Sequence, residues 1–179
     1  MKYTLRAIAF LGLLGFVFSF LGCSSATGTS IDSSSNSSAE MATPSGWTRQ
    51  NDYPIGAGIS ADFVLFGPKV QNFTPNIIAI TSPQSGASIS VALQYEIDNL
   101  RSLSTVSNVV VDSSGIISFH GQEAALLQAR YTMSGFDLLV REILFVYGGK
   151  DYQFVLTRLQ SDEATAAVFS SAEQSLVLP

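Results

Sequence analysis

Residues 120–159 read HGQEAALLQARYTMSGFDLLVREILFVYGGKDYQFVLTRL, and this stretch decides the fold. It consists of apolar, β-branched and aromatic runs bounded by short turns that place glycine where positive φ is needed. The runs are Ala124–Met133, Leu138–Tyr147 and Tyr152–Leu159, and the turns are His120-Gly121, Ser134-Gly135 and Gly148-Gly149-Lys150-Asp151. Because tight turns join neighbouring strands in opposite directions, the stretch predicts an antiparallel meander.

Four shorter runs upstream also have strand character, because each is short, mostly apolar and bounded by turn-forming residues. They are Asp62–Phe66, Asn76–Thr81, Val109–Val111 and Ile116–Phe119. Between the last two, the tetrapeptide Asp112-Ser113-Ser114-Gly115 predicts a further turn.

Two segments have helical character. Ser88–Leu103 carries both a strand alternation and a helical stripe, but its length and the spacing of Leu100 and Leu103 favour a helix capped by Ser88. Asp162–Leu178 repeats apolar residues at helical spacing and predicts a closing helix with Ser161 as its cap candidate. An antiparallel sheet covered by two helices belongs to the α+β class.

The first residues have the layout of an export signal. Lys2 and Arg6 precede the uncharged run Ala7–Gly22, which is shorter than the roughly 20 apolar residues of a spanning helix. Phe20-Leu21-Gly22-Cys23 resembles the lipobox of bacterial lipoproteins, whereas an ordinary soluble signal ends at small residues such as Ala-x-Ala. We therefore expect residues 1–22 to be a lipoprotein signal peptide and Cys23 to be the lipid attachment site.

A polar segment separates this signal from the folded part. Residues 24–38 are dominated by Ser with Thr, Gly and Asn, a composition that cannot bury enough apolar surface to fold. We assign residues 23–43 to a Ser-rich lipid-anchored tether and residues 44–179 to one globular domain.

The charge balance excludes some partners. Removal of Lys2 and Arg6 leaves seven basic against fourteen acidic side chains, a net charge near −7. Because affinity for nucleic acid requires clustered Lys and Arg, we expect no nucleic-acid partner. Cys23 is the only cysteine, so the folded domain has no disulfide.

Several short motifs resemble PsbP-like domains. They are Pro44-Ser45-Gly46-Trp47, Phe66-Gly67-Pro68 and Phe73-Thr74-Pro75-Asn76-Ile77, followed by Gly121, Ala124, Ala125, Tyr131 and the segment Tyr152–Thr157 before a terminal helix. The resemblance covers Pro44–Leu178 and implies an αβα sandwich on a central antiparallel sheet. It also implies an extrinsic subunit, assembly factor or adaptor, usually without catalysis.

Candidate catalytic residues are few. His120 is the only histidine and is expected as a solvated imidazole in a hairpin turn. The carboxylates Glu96 with Asp98, Asp162 with Glu163, and Glu142 are expected on solvated faces or at helix starts. Neither zinc-ligand spacing nor a calcium loop occurs in the sequence, so we expect no enzyme, no metal site and no cofactor.

We therefore expect a non-catalytic interaction or assembly subunit at the cell envelope, tethered to a membrane and facing outside the cytoplasm. A membrane protein complex is the expected partner. Phe73, expected to be exposed in the loop Pro68–Pro75, is one candidate partner contact, and Trp47 is the other, although Trp47 also suits a core anchor. The alternative is a carrier that holds a lipid or another small apolar ligand inside the sandwich.

Overall fold

A computed structural model describes residues 39–56 and 59–179. Cys23 and most of the predicted tether lie outside the described residues. The elements are β1 (Thr48–Gly56), β2 (Ile59–Phe66), β3 (Asn76–Pro83), α1 (Ile89–Ser102), β4 (Val106–Phe119), β5 (Gln122–Met133), β6 (Phe136–Tyr147), β7 (Lys150–Leu159) and α2 (Glu163–Gln174).

The strands form one seven-stranded sheet in the order β1-β2-β3-β7-β6-β5-β4. Every neighbouring pair is antiparallel, including β3 and β7, which are not consecutive in the chain. Strand β1 was not predicted, because its sequence, TRQNDYPIG, is polar and lacks an apolar alternation. The meander predicted for residues 120–159 is confirmed as the β5-β6-β7 part of the sheet.

The predicted turns of the meander are confirmed by their backbone angles. His120 and Gly121 have φ of 49° and 76°, and Ser134 and Gly135 have φ of 50° and 83°. Gly148 and Gly149 likewise have φ of 55° and 74°. Two successive residues with positive φ suit tight hairpins, because this geometry follows the twist of the flanking strands.

The turn predicted at Asp112-Ser113-Ser114-Gly115 is wrong, since β4 continues through it. Gly115 does not adopt positive φ. Ser113 pairs with Gln128 of β5, and the pairing runs unbroken to Phe119 opposite Gln122. A register shift lies between Val111 and Ser113, where the pairing with β5 skips Asp112, and regular pairing resumes after it. The long neighbouring strand supplies backbone partners throughout, which outweighs the turn preference of the local sequence.

Helix α1 is confirmed with Ser88 as its cap, where Ser88 Oγ accepts a hydrogen bond of 3.4 Å from the Val91 amide. Helix α2 begins and ends differently from its prediction. Asp162, not Ser161, is the N-cap and accepts from the Thr165 amide at 3.1 Å. The helix ends at Gln174, and a β-bridge between Val177 and Glu40 ties the last residues to the start of the domain.

The two helices lie on opposite faces of the sheet and define two layers of core. The α1 layer contains Val64, Phe73, Ile78, Ile80, Leu93, Ile97, Leu100, Leu127, Tyr131, Leu138, Val140 and Val155. The α2 layer contains Ala39, Met41, Trp47, Phe63, Leu65, Ile77, Ile143, Phe145, Tyr152, Phe154, Leu156, Phe169 and Leu176. The folded domain thus extends upstream of Pro44, because Ala39 and Met41, predicted in the tether, are buried.

Trp47 anchors one edge of the α2 layer. Its ring packs edge-on against Phe169, with centroids 6.1 Å apart. Gly67 lies directly beneath it, and a Cβ on Gly67 would lie 2.7 Å from Trp47 Cζ2 and 2.8 Å from Pro75 Cγ. The close approach of the indole therefore requires glycine at this position.

We expect Gly67→Ala to lower the free energy of unfolding by about 1–3 kcal/mol, because the added methyl group overpacks the core beneath Trp47. Urea denaturation followed by circular dichroism measures this change. Gly115→Ala is the matched control, since Gly115 has negative φ and open space around its Cβ position. Equal stability of the two variants would contradict the steric role of Gly67.

Candidate functional site

Two acidic side chains lie inside the α1 layer. Glu142 of β6 shares a sheet face with Leu138 and Val140, and Glu96 of α1 lies on the helix stripe that contains Leu93 and Leu100. Glu142 is 1% exposed and Glu96 is 7% exposed. Helix α1 therefore covers the sheet, and the helix and the sheet each contribute one carboxyl group to the layer between them.

The surroundings of Glu142 favour its protonated form. Gln153 of β7 donates a hydrogen bond of 2.5 Å from Nε2 to Glu142 Oε1. Burial raises the pKa of Glu142 well above its ordinary value, and the nearby Glu96 carboxyl raises it further, while the bond from Gln153 opposes the shift. A buried carboxylate is costly without a cation beside it, so the enclosure of Glu142 favours its neutral form.

Glu96 and Tyr131 respond to the same environment. Burial raises the pKa of Glu96 from 4.5 to about 7, and a weaker interaction with Asn99 opposes the shift. Burial, followed by the charge of Glu142, also raises the pKa of Tyr131. Among the described side chains, buried Asn99 Nδ2 has no hydrogen-bond partner. We call Glu96, Asn99, Glu142 and Gln153 the buried acid cluster.

The expectation that Glu96 and Glu142 are solvated is wrong. A signal for both was present in the sequence: Glu142 keeps the alternation of Leu138, Val140 and Leu144, and Glu96 keeps the helical spacing of Leu93 and Leu100. In each element the glutamate occupies a position where the period calls for an apolar residue. The apolar face of the helix or strand is buried, so the glutamate on that face is buried too. Asp98 and Glu163 are exposed as expected, whereas Asp162 is buried as the α2 cap.

The predicted exposure of Phe73 is also wrong. Its side chain is 1% exposed and packs against Phe136, with ring centroids 5.8 Å apart. Val70 and Phe73 exchange backbone hydrogen bonds of 2.8 and 2.9 Å, and the intervening Gln71 and Asn72 have positive φ. This tight turn folds the loop back and directs the Phe73 ring into the α1 layer. Trp47 is buried in the α2 layer, so neither candidate partner contact presents an open aromatic ring.

His120 lies away from the buried acid cluster. It is exposed at the β4-β5 hairpin, as expected, and its Nε2 lies 3.0 Å from the carbonyl oxygen of Glu173 at the end of α2. The histidine therefore lies on the α2 side of the sheet and Glu142 on the α1 side. The fold does not bring the imidazole and the buried carboxyl groups together.

Metal-ligating groups and membrane-spanning helices are both absent from residues 39–56 and 59–179. In these ranges no three or more His, Cys, Asp or Glu side chains are grouped so that they could hold a metal ion. None of the helices in these ranges has the length and apolar character needed to cross a membrane.

Neither a protein-family model nor a curated protein matches the chain. Among solved structures, the chain resembles the cyanobacterial PsbP of Synechocystis sp. PCC 6803, with a TM-score of 0.57 and 14% identity over 89% of this chain and 99% of that one. It also resembles LpqN of Mycobacterium tuberculosis, with a TM-score of 0.61 and 16% identity over 79% and 83% of the two chains.

A third similar structure is PA94 of Pseudomonas aeruginosa, a protein of unknown function, with a TM-score of 0.55 and 18% identity over 65% and 81% of the two chains. LpqN itself is involved in cell envelope biogenesis. At these identities the likeness shows the fold alone. The chain has the α+β, PsbP-like sandwich fold that the sequence motifs predicted.

We expect Phe73→Ala to lower the free energy of unfolding by about 3–5 kcal/mol, because it removes a buried ring from the α1 layer. Chemical denaturation measures the loss. Val91→Ala is a control, since Val91 is 50% exposed on α1. An unchanged denaturation midpoint for Phe73→Ala would contradict the inward position of the loop.

We expect stability to fall as pH rises from about 4.5 to about 7. An acid whose pKa is raised in the native state binds more protons there than in the unfolded chain, so stability present below the unfolded pKa is lost as pH rises. The loss approaches about 1.4 kcal/mol per pH unit for one group. Denaturation midpoints between pH 4 and pH 8 measure it.

The variant Glu96→Gln tests the origin of this pH dependence, since it keeps the shape of the side chain and removes its titration. We expect a flatter stability profile for Glu96→Gln. Glu123→Gln is the matched control, because Glu123 is exposed on β5 and its loss leaves the buried acid cluster intact. Parallel profiles for the two variants would exclude Glu96 as the source.

Proposed function

We propose that this protein is a lipid-tethered, non-catalytic interaction or assembly subunit of the cell envelope. The observation that carries the non-catalytic part of the proposal is the enclosure of Glu96 and Glu142 between helix and sheet. Groups with perturbed pKa values are candidates for catalysis when they face a cleft. Here both are shielded from solvent, so they act on stability and on the seating of α1.

Buried polar bonds on both faces of the sheet support the same role. Gln153 binds Glu142 across neighbouring strands, and Arg158 donates from Nη1 to the carbonyl oxygens of Leu159, Gln160 and Asp162 at 2.9, 3.0 and 3.1 Å. Gln153 and Arg158 thus find hydrogen-bond acceptors within the domain. The bonds of Arg158 join the end of β7 to the start of α2, which suits a scaffold.

The amino-terminal sequence supports attachment to a membrane. Cys23 follows the apolar signal and would carry the lipid, and the Ser-rich segment after it would hold the domain near the surface. A Ser-rich tether that ends before Ala39, roughly 15 residues after Cys23, would span about 20 Å on average as a random coil. Confinement within that distance raises the effective concentration of membrane partners, so a weak interface is sufficient.

The solved neighbours support the envelope setting by analogy. LpqN carries the same fold and is described as involved in cell envelope biogenesis. The fold by itself does not determine function, so the analogy sets an expectation for this chain. The partner has to be identified by experiment.

The test is affinity purification of the tagged full chain from gently solubilised membranes, with quantitative mass spectrometry of proteins and lipids together. We expect a reproducible, near-stoichiometric set of membrane proteins. The Cys23→Ser variant is the control, and we expect it to leave the membrane fraction or to accumulate as the larger precursor. Membrane retention of Cys23→Ser at unchanged size would remove the lipid anchor from the proposal.

Other outcomes decide between the remaining functions. A defined lipid recovered at one copy per chain, without a protein partner, would replace the subunit by the carrier. Recovery of neither a protein nor a lipid above the level of an unrelated lipoprotein would overturn both.

A further inference from the structure

We propose that the free edge of β4 is a self-association surface, on which Ser113–Phe119 pairs antiparallel with the same segment of a second copy. This inference concerns the folded domain and is independent of the lipid anchor and of any envelope partner. It would join the two sheets into one continuous sheet across a two-fold axis.

Strand β4 is the terminal strand of the sheet within the described part of the chain. It is 14 residues long, longer than most strands, and none of its side chains is buried. From Ser113 to Phe119 its pairing with β5 has no register shift, so the outer edge of this segment is straight. A straight edge presents a regular row of backbone donors and acceptors to another strand.

The opposite edge of the sheet is protected in a way that the segment Ser113–Phe119 of β4 is not. Strand β1 contains Pro54, which has no backbone donor, and a register shift lies between Pro54 and Gly56. Asp52 has φ of 50°, a conformation that interrupts a regular extended edge. Proline, bulges and charged residues are the means by which edge strands avoid pairing. Ser113–Phe119 contains none of the three.

A second copy is the occupant that the composition of this segment favours. The chain is acidic overall, so two copies repel each other on average, and an uncharged segment is a favourable place for close contact. Ser113–Phe119 has no charged residue, and the preceding Asp112 is already paired with Arg130 at 2.7 Å. Two copies can therefore pair along this segment without like charges facing each other.

The side chains are self-complementary when the two-fold axis passes through Ile116. On one face, Ser113 lies opposite Phe119 of the second copy and Gly115 opposite its Ile117, so each small residue meets a large one. On the other face, Ile116 lies opposite its own copy, flanked by Ser114 and Ser118. Ile116 is 47% exposed, and this pairing would cover it. The paired length is about 23 Å at roughly 3.3 Å per residue.

The test uses charge reversal at Ile116 in the purified full chain. The sample is held in non-ionic detergent with micelles in excess, and sedimentation equilibrium is run under density matching. We expect the unmodified chain to form a dimer. Ile116→Lys and Ile116→Glu, each alone, set like charges opposite each other and should raise the dimer dissociation constant at least about tenfold. An equimolar mixture of the two variants should restore the dimer.

Val91→Lys is the matched control, because Val91 is a 50% exposed apolar residue on α1 and lies away from the β4 edge. We expect this variant to dimerise like the unmodified chain. Circular dichroism confirms that all variants keep the same fold. A monomeric unmodified chain at 100 μM, a dimer insensitive to both Ile116 variants, or the lack of rescue on mixing would each overturn the proposal.

Discussion

The sandwich depends on the burial of β7 on both faces. All residues from Tyr152 to Leu159 are buried, and the strand pairs with β3 on one side and β6 on the other. A strand placed in this way requires a cover on each face, and α1 and α2 provide it. Phe145 and Tyr152 stack at 5.2 Å on the α2 face, while Val155 packs in the α1 layer. The rest of the sheet extends outward from this doubly covered centre.

The same burial determines the chemistry of Glu96 and Glu142. Each lies at a position whose spacing points to the core, so the fold encloses a carboxyl group on each side of the α1 contact. Their desolvation favours protonation, which links the seating of the helix to pH. A helix of 14 residues is marginal in isolation, so its stability comes from this packing. The packing of Leu93, Ile97 and Leu100 against the sheet therefore holds the helix over this face.

The two edges of the sheet have different characters, and this asymmetry connects the fold with its proposed roles. Strand β1 is interrupted by Pro54 and by a register shift, whereas β4 presents a straight, uncharged segment. Under the proposed lipid tether, an open edge would meet other copies or partners often, because confinement raises their effective concentration. Which of the two edges is suited to pairing thus depends on backbone geometry as much as on side chains.

The local sequence determined the β5-β6-β7 meander, its tight turns, helix α1 with its Ser88 cap, and the PsbP-like fold class, because glycine placement and apolar period are local signals. The tertiary structure alone decided the rest. Pairing with β5 turned the polar segment Asp112–Gly115 into strand, and the turn at Gln71 and Asn72 buried Phe73. The alternation of β6 already places Glu142 on the apolar face of the strand, but the cover over that face is α1, a helix about 40 residues upstream in the chain. These outcomes rest on contacts between distant segments, and no local pattern encodes such contacts.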